Sequence, residues 1–473
     1  MPPHIVHAPL PSGTPHVSVA IVGAGACGLT SALMLHDAGV DCAVLERDAS
    51  PSGSSALSSG FIPAAGTRAQ GAQGIADDAA RFAADIQDKT HGTAAAHLVA
   101  AYAQASGPAI DALQLRHGIE FAVLDNFLYP GHHTLRMHAV PERTGAGLMA
   151  RLCKAAASAG IPVVTNAQVD ALWVGDGGQI TGVSYLRPDG KTEHLACDAL
   201  ILACNGFGGN KAMVSELLPE MREAIYAGHS GNDGSAITWG QALGARLADL
   251  GGYQGHGSWA VPQGALISWA IMMEGGMQLN AHGKRFHDET QGYSEAAVAV
   301  LAQPGGVAWN VFDGPLLALA RSFPDFCEAE AAGAVKTCAS LPDLAKLIGC
   351  DAIELEAAYA CFTRPEGQSD INFSQNDSPD RRVFKRALAA PFYAVKVTGA
   401  LFHTQGGLDI DTDCRVLRQD GVPFPNLLAA GGAARGVSGN AVWGYLSGNG
   451  LLSAVAGGYI AAQSAVQALQ PPV

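Results

Sequence analysis

Residues 17–46 constrain this chain more than any other stretch. Residues 17–22 alternate into a buried strand and run into Gly23-Ala24-Gly25-Ala26-Cys27-Gly28. Residues 26–38 carry a helical pattern, and Gly39 stands where such a helix stops. Residues 40–45 form the next strand and end at Glu46. Strand, glycine turn, helix and strand make a β-α-β unit. Gly23 is expected to make the turn. Gly25 lets backbone approach a pyrophosphate, and Gly28 lets the helix pack closely on the strand. The first helical turn offers partial positive charge to phosphates. Glu46 follows Gly28 by 18 residues, the right place to accept a ribose hydroxyl. An ordinary tight β-α turn would leave that carboxylate unexplained, so the unit reads as dinucleotide-binding.

The rest of the chain says which dinucleotide. Glycine supplies 58 of 473 residues, about 12%, against a typical ~7%, with no Gly-X-Y period. Close backbone approaches around a large cofactor account for such an excess. Three further glycine-rich places follow the fingerprint: residues 50–60, Asn205-Gly206-Phe207-Gly208-Gly209 after an apolar strand, and residues 444–450. A nicotinamide enzyme needs no such return from the far end of the chain. A flavin does: the start of the helix after Gly450 would stabilise negative charge at the pyrimidine edge of an isoalloxazine. FAD is therefore the expected cofactor.

Helices are expected at residues 77–89, 93–117 and 145–159, the last stopped by Gly160. Strands are expected at 162–165, 169–174, 180–186 and 191–196, with hairpin turns at Gly177-Gly178 and Asp189-Gly190, and a separate strand at 199–204. After Leu250 the pattern turns irregular, and the chain returns to strand near 395–397. The expected fold class is α/β. A discontinuous Rossmann-like FAD-binding domain (15–250 and 396–473) carries an inserted α+β capping domain (251–395).

Composition excludes several classes. Net charge is −14 with no Lys/Arg cluster, which argues against a nucleic-acid partner. Ten dispersed cysteines include no C-x-x-C pair and suit a reduced, cytoplasmic protein. Cys327, Cys338, Cys350 and Cys361 fit no zinc spacing and are expected to be buried on helices. His132, His133 and His138 also lack metal-ligand spacing and read as structural. No signal peptide is read in residues 1–16, and residues 451–469 are too weakly apolar to insert in a membrane.

The chain resembles the FAD-dependent fumarate reductase/succinate dehydrogenase flavoprotein group, which includes 3-ketosteroid dehydrogenases. The resemblance covers about residues 17–468. It is carried by the fingerprint with Glu46, Ser52-Gly53-Ser54-Ser55, residues 202–210, Asn232-Asp233-Gly234, Gly283-Lys284-Arg285-Phe286-His287-Asp288-Glu289, and His403-Thr404-Gln405-Gly406-Gly407-Leu408. The resemblance implies an FAD envelope that adds Ala26, Cys27, Arg47, Ser54, Ser55, Ser59 and Gly60 to the fingerprint. Gln168, Val169, Ala203, Cys204, Asn205, Gly206, Asn210 and Asp233 continue it. Gly407, Gly431, Gly448, Asn449 and Leu451 complete it. Membrane-bound members attach flavin to a histidine that has no counterpart near residues 54–60, which implies non-covalent FAD.

The departures from that pattern are informative. Fumarate reductases of the group resemble this chain at two substrate-contacting histidines, here His256 and His403. They also need an arginine acid in the cap and an arginine clamp before the final Gly-Asn, because buried carboxylates call for charge-assisted partners. This chain has Gly314-Pro315-Leu316-Leu317 and Tyr445 at those places. Gly444-Tyr445-Leu446-Ser447-Gly448 resembles instead a stretch of some 3-ketosteroid dehydrogenases, and Arg285 to Tyr293 resembles the segment that supplies their tyrosine base. The expected catalytic set is Tyr445, Tyr293, Ser447, His403 and His256. Tyr445 could otherwise simply pack the flavin edge, Tyr293 anchor a cap loop, and Ser447 satisfy a helix start. The implied reaction forms a C=C bond beside the carbonyl of an apolar, cyclic or steroid-like ketone, with an unassigned electron acceptor. The alternative on the same scaffold is reduction of a fumarate-like acid.

Overall fold

The computed structural model describes residues 3–125, 127–362 and 387–469. Its contacts divide the chain into two compact units. The first holds residues 1–218, 228–254 and 403–473; the second holds 219–227 and 255–402.

The first unit begins with β1 (His4–Val6) and β2 (His16–Val22). β2 leads through the glycine turn into α1 (Ala26–Asp37) and then β3 (Cys42–Leu45). Gly39 has φ 72°, the left-handed conformation its place after the helix requires. α2 (Ala79–Lys89) is capped by the Asp78 carboxylate, and α3 (Ala96–His117) ends at Gly118 with φ 65°. α4 (Gly145–Ser158) starts at the Thr144 cap. Then come β4 (Val163–Val164), β5 (Gln168–Val174), β6 (Ile180–Leu186) and β7 (Thr192–Leu202).

Two strands expected on either side of Cys197 form this single β7. The reason lies in its neighbours. Its first half pairs antiparallel with β6 over Thr192–Ala196, and its second half pairs parallel with β2 over Ala196–Leu202. Cys197 and Asp198 break neither ladder, so the chain has no cause to turn.

The second unit holds β8 (Tyr253–Ala260), most of which follows Gln254, then β9 (Met277–Leu279), α5 (Tyr293–Leu301), β10 (Val307–Phe312), α6 (Gly314–Ala320) and β11 (Phe392–Thr404). Its sheet runs β8-β11-β10-β9, with the short strand Ala265–Leu266 beside β8 and two more, Ile225–Tyr226 and Lys336–Cys338, paired with β11. The sheet and helices enclose their own apolar core, including Phe312, Phe326, Met277 and Val395. Here three expectations fail. Cys327 is exposed, Cys338 is buried on a short strand, Lys336–Cys338, rather than on a helix, and Cys350 is half-buried beyond the helix Leu341–Ile348. Cys361's side chain lies outside the described residues.

The chain ends in the first unit with β12 (Arg415–Leu417), β13 (Pro423–Ala429) and α7 (Asn449–Leu469). β13 pairs parallel with β7 at Leu200–Leu202. The central sheet therefore runs β1-β5-β6-β7-β2-β3-β4, with β13 beside the end of β7. α7 lies on α1. The Ser31 hydroxyl donates to the Cys27 and Gly458 carbonyls at 3.1 and 3.0 Å. A Cβ on Gly458 would stand 2.5 Å from the Cys27 carbonyl oxygen, so only glycine allows this approach. Among the described residues no helix is long and apolar enough to cross a membrane.

Gly458→Val should push α7 off α1 and cost about 1–3 kcal/mol, the usual range for overpacking. Urea unfolding of the purified variant measures it, and an unchanged midpoint would contradict the close approach.

Candidate active site

The glycine turn is held from several sides. Gly23 has φ 104°, and a Cβ there would stand 2.6 Å from the Ala203 carbonyl oxygen. A Cβ on Gly28 would overlap the Gly23 carbonyl. Gly25 differs: the nearest atom to an added Cβ is Ser55 Oγ at 3.4 Å, so its face is open for an approaching group. Ser55 Oγ also accepts from the Ala26 amide at 3.1 Å. Gly431 lies against Cys27, with an added Cβ 3.3 Å from Cys27 Cβ. Burial raises the Cys27 thiol far above its ordinary range, so it packs as a neutral group. Glu46 is buried and accepts from the Ala24 amide at 2.9 Å and the Asp48 amide at 3.0 Å. A carboxylate has about four acceptor sites, so two bonds leave capacity for ribose hydroxyls.

A second group gathers beside Glu46. Arg47 donates to the Gly231 carbonyl and to Asp233 at 3.2 Å. Ser54 Oγ accepts from the His229 amide and the Asn232 side chain. Asn210 caps the helix Lys211–Leu217 and donates to the Asp233 carbonyl at 3.0 Å. Asn205 takes φ 64°, with its own side chain accepting from the Gly206 amide. A Cβ on Gly407 would stand 2.6 Å from the Ala433 carbonyl, and one on Gly60 2.6 Å from Thr144. Gln168 and Val169 open β5, whose preceding Ala167 amide bonds the Glu46 carbonyl at 2.8 Å. Ser59 is half-buried in the loop before Gly60, and Leu451 is buried in the first turn of α7.

At the start of α7 the histidine and tyrosine of the sequence reading meet. The His403 and Tyr445 rings are 5.5 Å apart, edge to face. A Cβ on Gly450 would overlap His403 Nε2, so this glycine gives the imidazole its place. The Gly450 amide lies 3.4 Å from the Tyr445 hydroxyl. Burial raises the Tyr445 pKa well above its ordinary value, so the phenol is a neutral donor rather than a base. Burial lowers His403 to about 4, so it too is neutral. Asn449 is fully buried, and its Oδ1 has no partner among the described residues.

Ser447 sits two residues before α7, not at its cap. Its carbonyl accepts from His132 Nε2 at 2.9 Å. His132 is buried and held near pKa 4, by desolvation first and by the Arg136 charge second. The loop bearing it is fixed by a buried charge cluster. Arg136 donates to both Asp77 oxygens at 3.1 Å, stacks 4.5 Å over Phe82, and lies 2.9 Å from Asp85 as an ion pair rather than an aligned hydrogen bond. His133 donates to Asp85 through its amide at 3.0 Å and through Nδ1 at 2.6 Å. His132 holds the Ser447 carbonyl directly, and His133 braces the same loop through Asp85. Sequence reasoning found no such role, because 315 residues separate His132 from Ser447.

In the second unit Tyr293 opens α5 and stacks on His256, with ring centroids 4.8 Å apart and planes at 17°. The Ser258 amide donates to His256 Nδ1 at 3.1 Å. The ring proton is therefore on Nε2, and burial holds the pKa at about 3. Glu289 receives both arms of Arg285 and the Gln278 amide at 3.0 Å, which ties cap backbone in place. Asp313 caps α6, whose Leu316 and Leu317 are buried. Among the described residues the buried arginines are Arg136 and Arg285, and carboxylates neutralise both. No group of His, Cys, Asp and Glu there could hold a metal.

The first unit fits FAD. The open face at Gly25, the spare acceptors of Glu46 and the orphaned Asn449 Oδ1 are what a dinucleotide with a polar ring at one end requires. Fold and site together define a flavin-binding α/β protein. A family model described as FAD binding domain matches residues 18–451, and the chain belongs to that family, with FAD as its cofactor.

The chain is 27% identical to an NADH:fumarate oxidoreductase of Klebsiella pneumoniae (strain 342) over 89% of its own length, and spans 45% of that relative. It is 25% identical to a 4-oxocyclohexanecarboxylate 2-dehydrogenase of Sinomonas cyclohexanicum over 89% of this chain and 88% of that one. Among solved structures, an open flavocytochrome c3 fumarate reductase superposes with TM-score 0.79 at 26% identity, covering 97% of this chain and 80% of that one. A 3-ketosteroid-Δ4-(5α)-dehydrogenase from Rhodococcus jostii RHA1 shares the fold, with TM-score 0.73 at 22% identity over 98% and 100%.

Arg136→Met should cost about 3–5 kcal/mol, because it strands two buried carboxylates. A chemical denaturation series reads the loss, and a cost under 1 kcal/mol would contradict the cluster. Acid should also weaken the protein early. His132, His138, His256 and His403 are held at about 4, 4, 3 and 4 when folded, against ~6.5 unfolded. Between those values the unfolded state binds more protons, so stability falls as pH drops from about 6.5 towards 4. The melting temperature should decline through that window, and a flat profile would contradict neutral burial.

Proposed function

We propose that this protein is an FAD-dependent oxidoreductase acting on CH–CH groups, and that it desaturates a cyclic, largely apolar ketone next to its carbonyl. The observation that carries this reading is Tyr445, a buried neutral phenol beside His403 in the first unit, where the buried arginine among the described residues, Arg136, is already neutralised by carboxylates. A dicarboxylate would need unspent cations there. A ketone oxygen needs only neutral donors, and these strengthen their hold as the oxygen gains charge in an enolate. The name of the Sinomonas relative, a dehydrogenase of a ring ketone, supports the same class.

FAD, when bound, supplies the acceptor for the hydride leaving the β-carbon. The protein's own groups handle the proton and the oxygen. Tyr445 donates a hydrogen bond to the carbonyl oxygen and stays protonated throughout, as its raised pKa requires. His403, neutral at working pH, is a further donor. Tyr293 is proposed to take the α-proton on its phenolic oxygen as its own hydroxyl proton leaves to solvent. His256 carries its proton on Nε2 and serves as a donor to substrate oxygen. Ser447, held through its carbonyl by His132 Nε2, is the remaining member of the proposed set.

A second reading, reduction of a fumarate-like acid, is favoured by the Klebsiella relative's name and by the retained His256 and His403. The two readings separate on Tyr445.

Tyr445→Phe should keep FAD and the fold while cutting ketone-dependent flavin reduction about 10²-fold or more, as loss of one oxyanion donor does. Stopped-flow absorbance under anaerobic conditions measures it. Unchanged rates would remove Tyr445 from the chemistry.

A further inference from the structure

His403 does not stand alone. Gln405 Nε2 lies 3.1 Å from His403 Nδ1. The Ser438 hydroxyl donates to Gln405 Oε1 at 2.8 Å, and Asn449 Nδ2 donates to Ser438 Oγ at 3.1 Å. Gln405, Ser438 and Asn449 are all buried. One chain of hydrogen bonds thus runs from the first residue of α7 to the imidazole, wholly inside the first unit.

We propose that Gln405, oriented by Ser438 and Asn449, is a positioning residue that fixes His403 as an Nε2–H tautomer, a hydrogen-bond donor and not a base. This rests on the reading that gives His403 a place against substrate.

The argument turns on where one proton sits. A buried amide has a direction, which its partners assign. Ser438 receives the Asn449 N–H and gives its own hydrogen to Gln405 Oε1. That leaves Gln405 Nε2 to donate to His403, so Nδ1 must be bare and the proton must be on Nε2. A competing contact exists: the Thr404 carbonyl is 3.3 Å from Nδ1 and would want a proton there. It is longer, and it comes from the next residue along the backbone. The reverse polarity, with every amide turned over, would leave an Asn449 N–H orphaned in place of Oδ1. Buried orphan N–H groups are rarer than under-satisfied carbonyls.

The consequence is chemical. Gly450 leaves Nε2 in close contact with the start of α7. A ring protonated there and blocked at Nδ1 has no lone pair free to take an α-proton. The same tautomer occurs independently at His256, where a backbone amide occupies Nδ1. Both imidazoles are then donors, and the base must be another group. Gln405 follows His403 by two residues, so a side chain of the same segment sets the histidine.

The test is ¹⁵N NMR of histidine-labelled, FAD-loaded enzyme without substrate, with His403→Asn to assign the signal. His403 Nδ1 should show a pyridine-like shift and Nε2 a pyrrole-like shift, unchanged from pH 8 to 5.5. Gln405→Leu should yield a mixture of tautomers. Gln405→Glu should place a proton on Nδ1 and bring the ring's titration above pH 5.5, because a carboxylate beside the ring favours imidazolium. The His256 signals should stay put in both variants, which reports an intact fold. Gln405→Leu should also lower kcat/KM for a ketone about tenfold, the loss expected of one misaligned bond. A protonated Nδ1 in the wild type, or a Gln405→Leu spectrum identical to wild type, would overturn the proposal. Failure of every ketone to reduce the flavin would instead count against the desaturase reading, since the NMR result needs no substrate.

Discussion

The contact between α1 and α7 is the constraint on which the rest of the first unit depends. Gly458 lets the last helix touch the backbone of the first, and one hydroxyl, Ser31, bonds both. Gly431 closes on Cys27 beside them. Because α7 is fixed there, its first residues have a defined place. Asn449, Gly450 and, through Gly450, His403 follow from that place. Backbone-on-backbone packing therefore positions a side chain that lies far from the fingerprint in sequence. The high glycine content has its explanation in such contacts rather than in flexible loops.

The candidate site is built from neutral groups, and burial is the cause. Desolvation raises Tyr445 and lowers His403 and His256, so at neutral pH none carries charge. Among the described residues the buried arginines, Arg136 and Arg285, are each paired with carboxylates that brace loops. In the proposed reaction such donors, already oriented, would hold a developing negative oxygen with little to reorganise.

The β-α-β fingerprint was legible because its spacing, its glycines and Glu46 act locally. Tyr445 was legible as an exchange, since a phenol in place of a cation changes the chemistry a motif can do. The continuous β7 was not: its length is set by strands that pair with it from distant parts of the chain. Gln405 and Ser438 were not, because Gln405 shows its role only when its partner, 33 residues on, is seen beside it. His132 is similar; nothing local to it points to the Ser447 carbonyl. Sequence shows which groups are present, and folding decides which of them share a hydrogen bond.

The desaturase reading is tested most directly by anaerobic titration of the oxidised, FAD-loaded enzyme, followed at the flavin absorption band. Cyclic ketones and ketosteroids should bleach the band, and succinate should not. Bleaching by succinate with no response to any ketone, or rapid reoxidation of the photoreduced enzyme by fumarate but by no enone, would contradict the account.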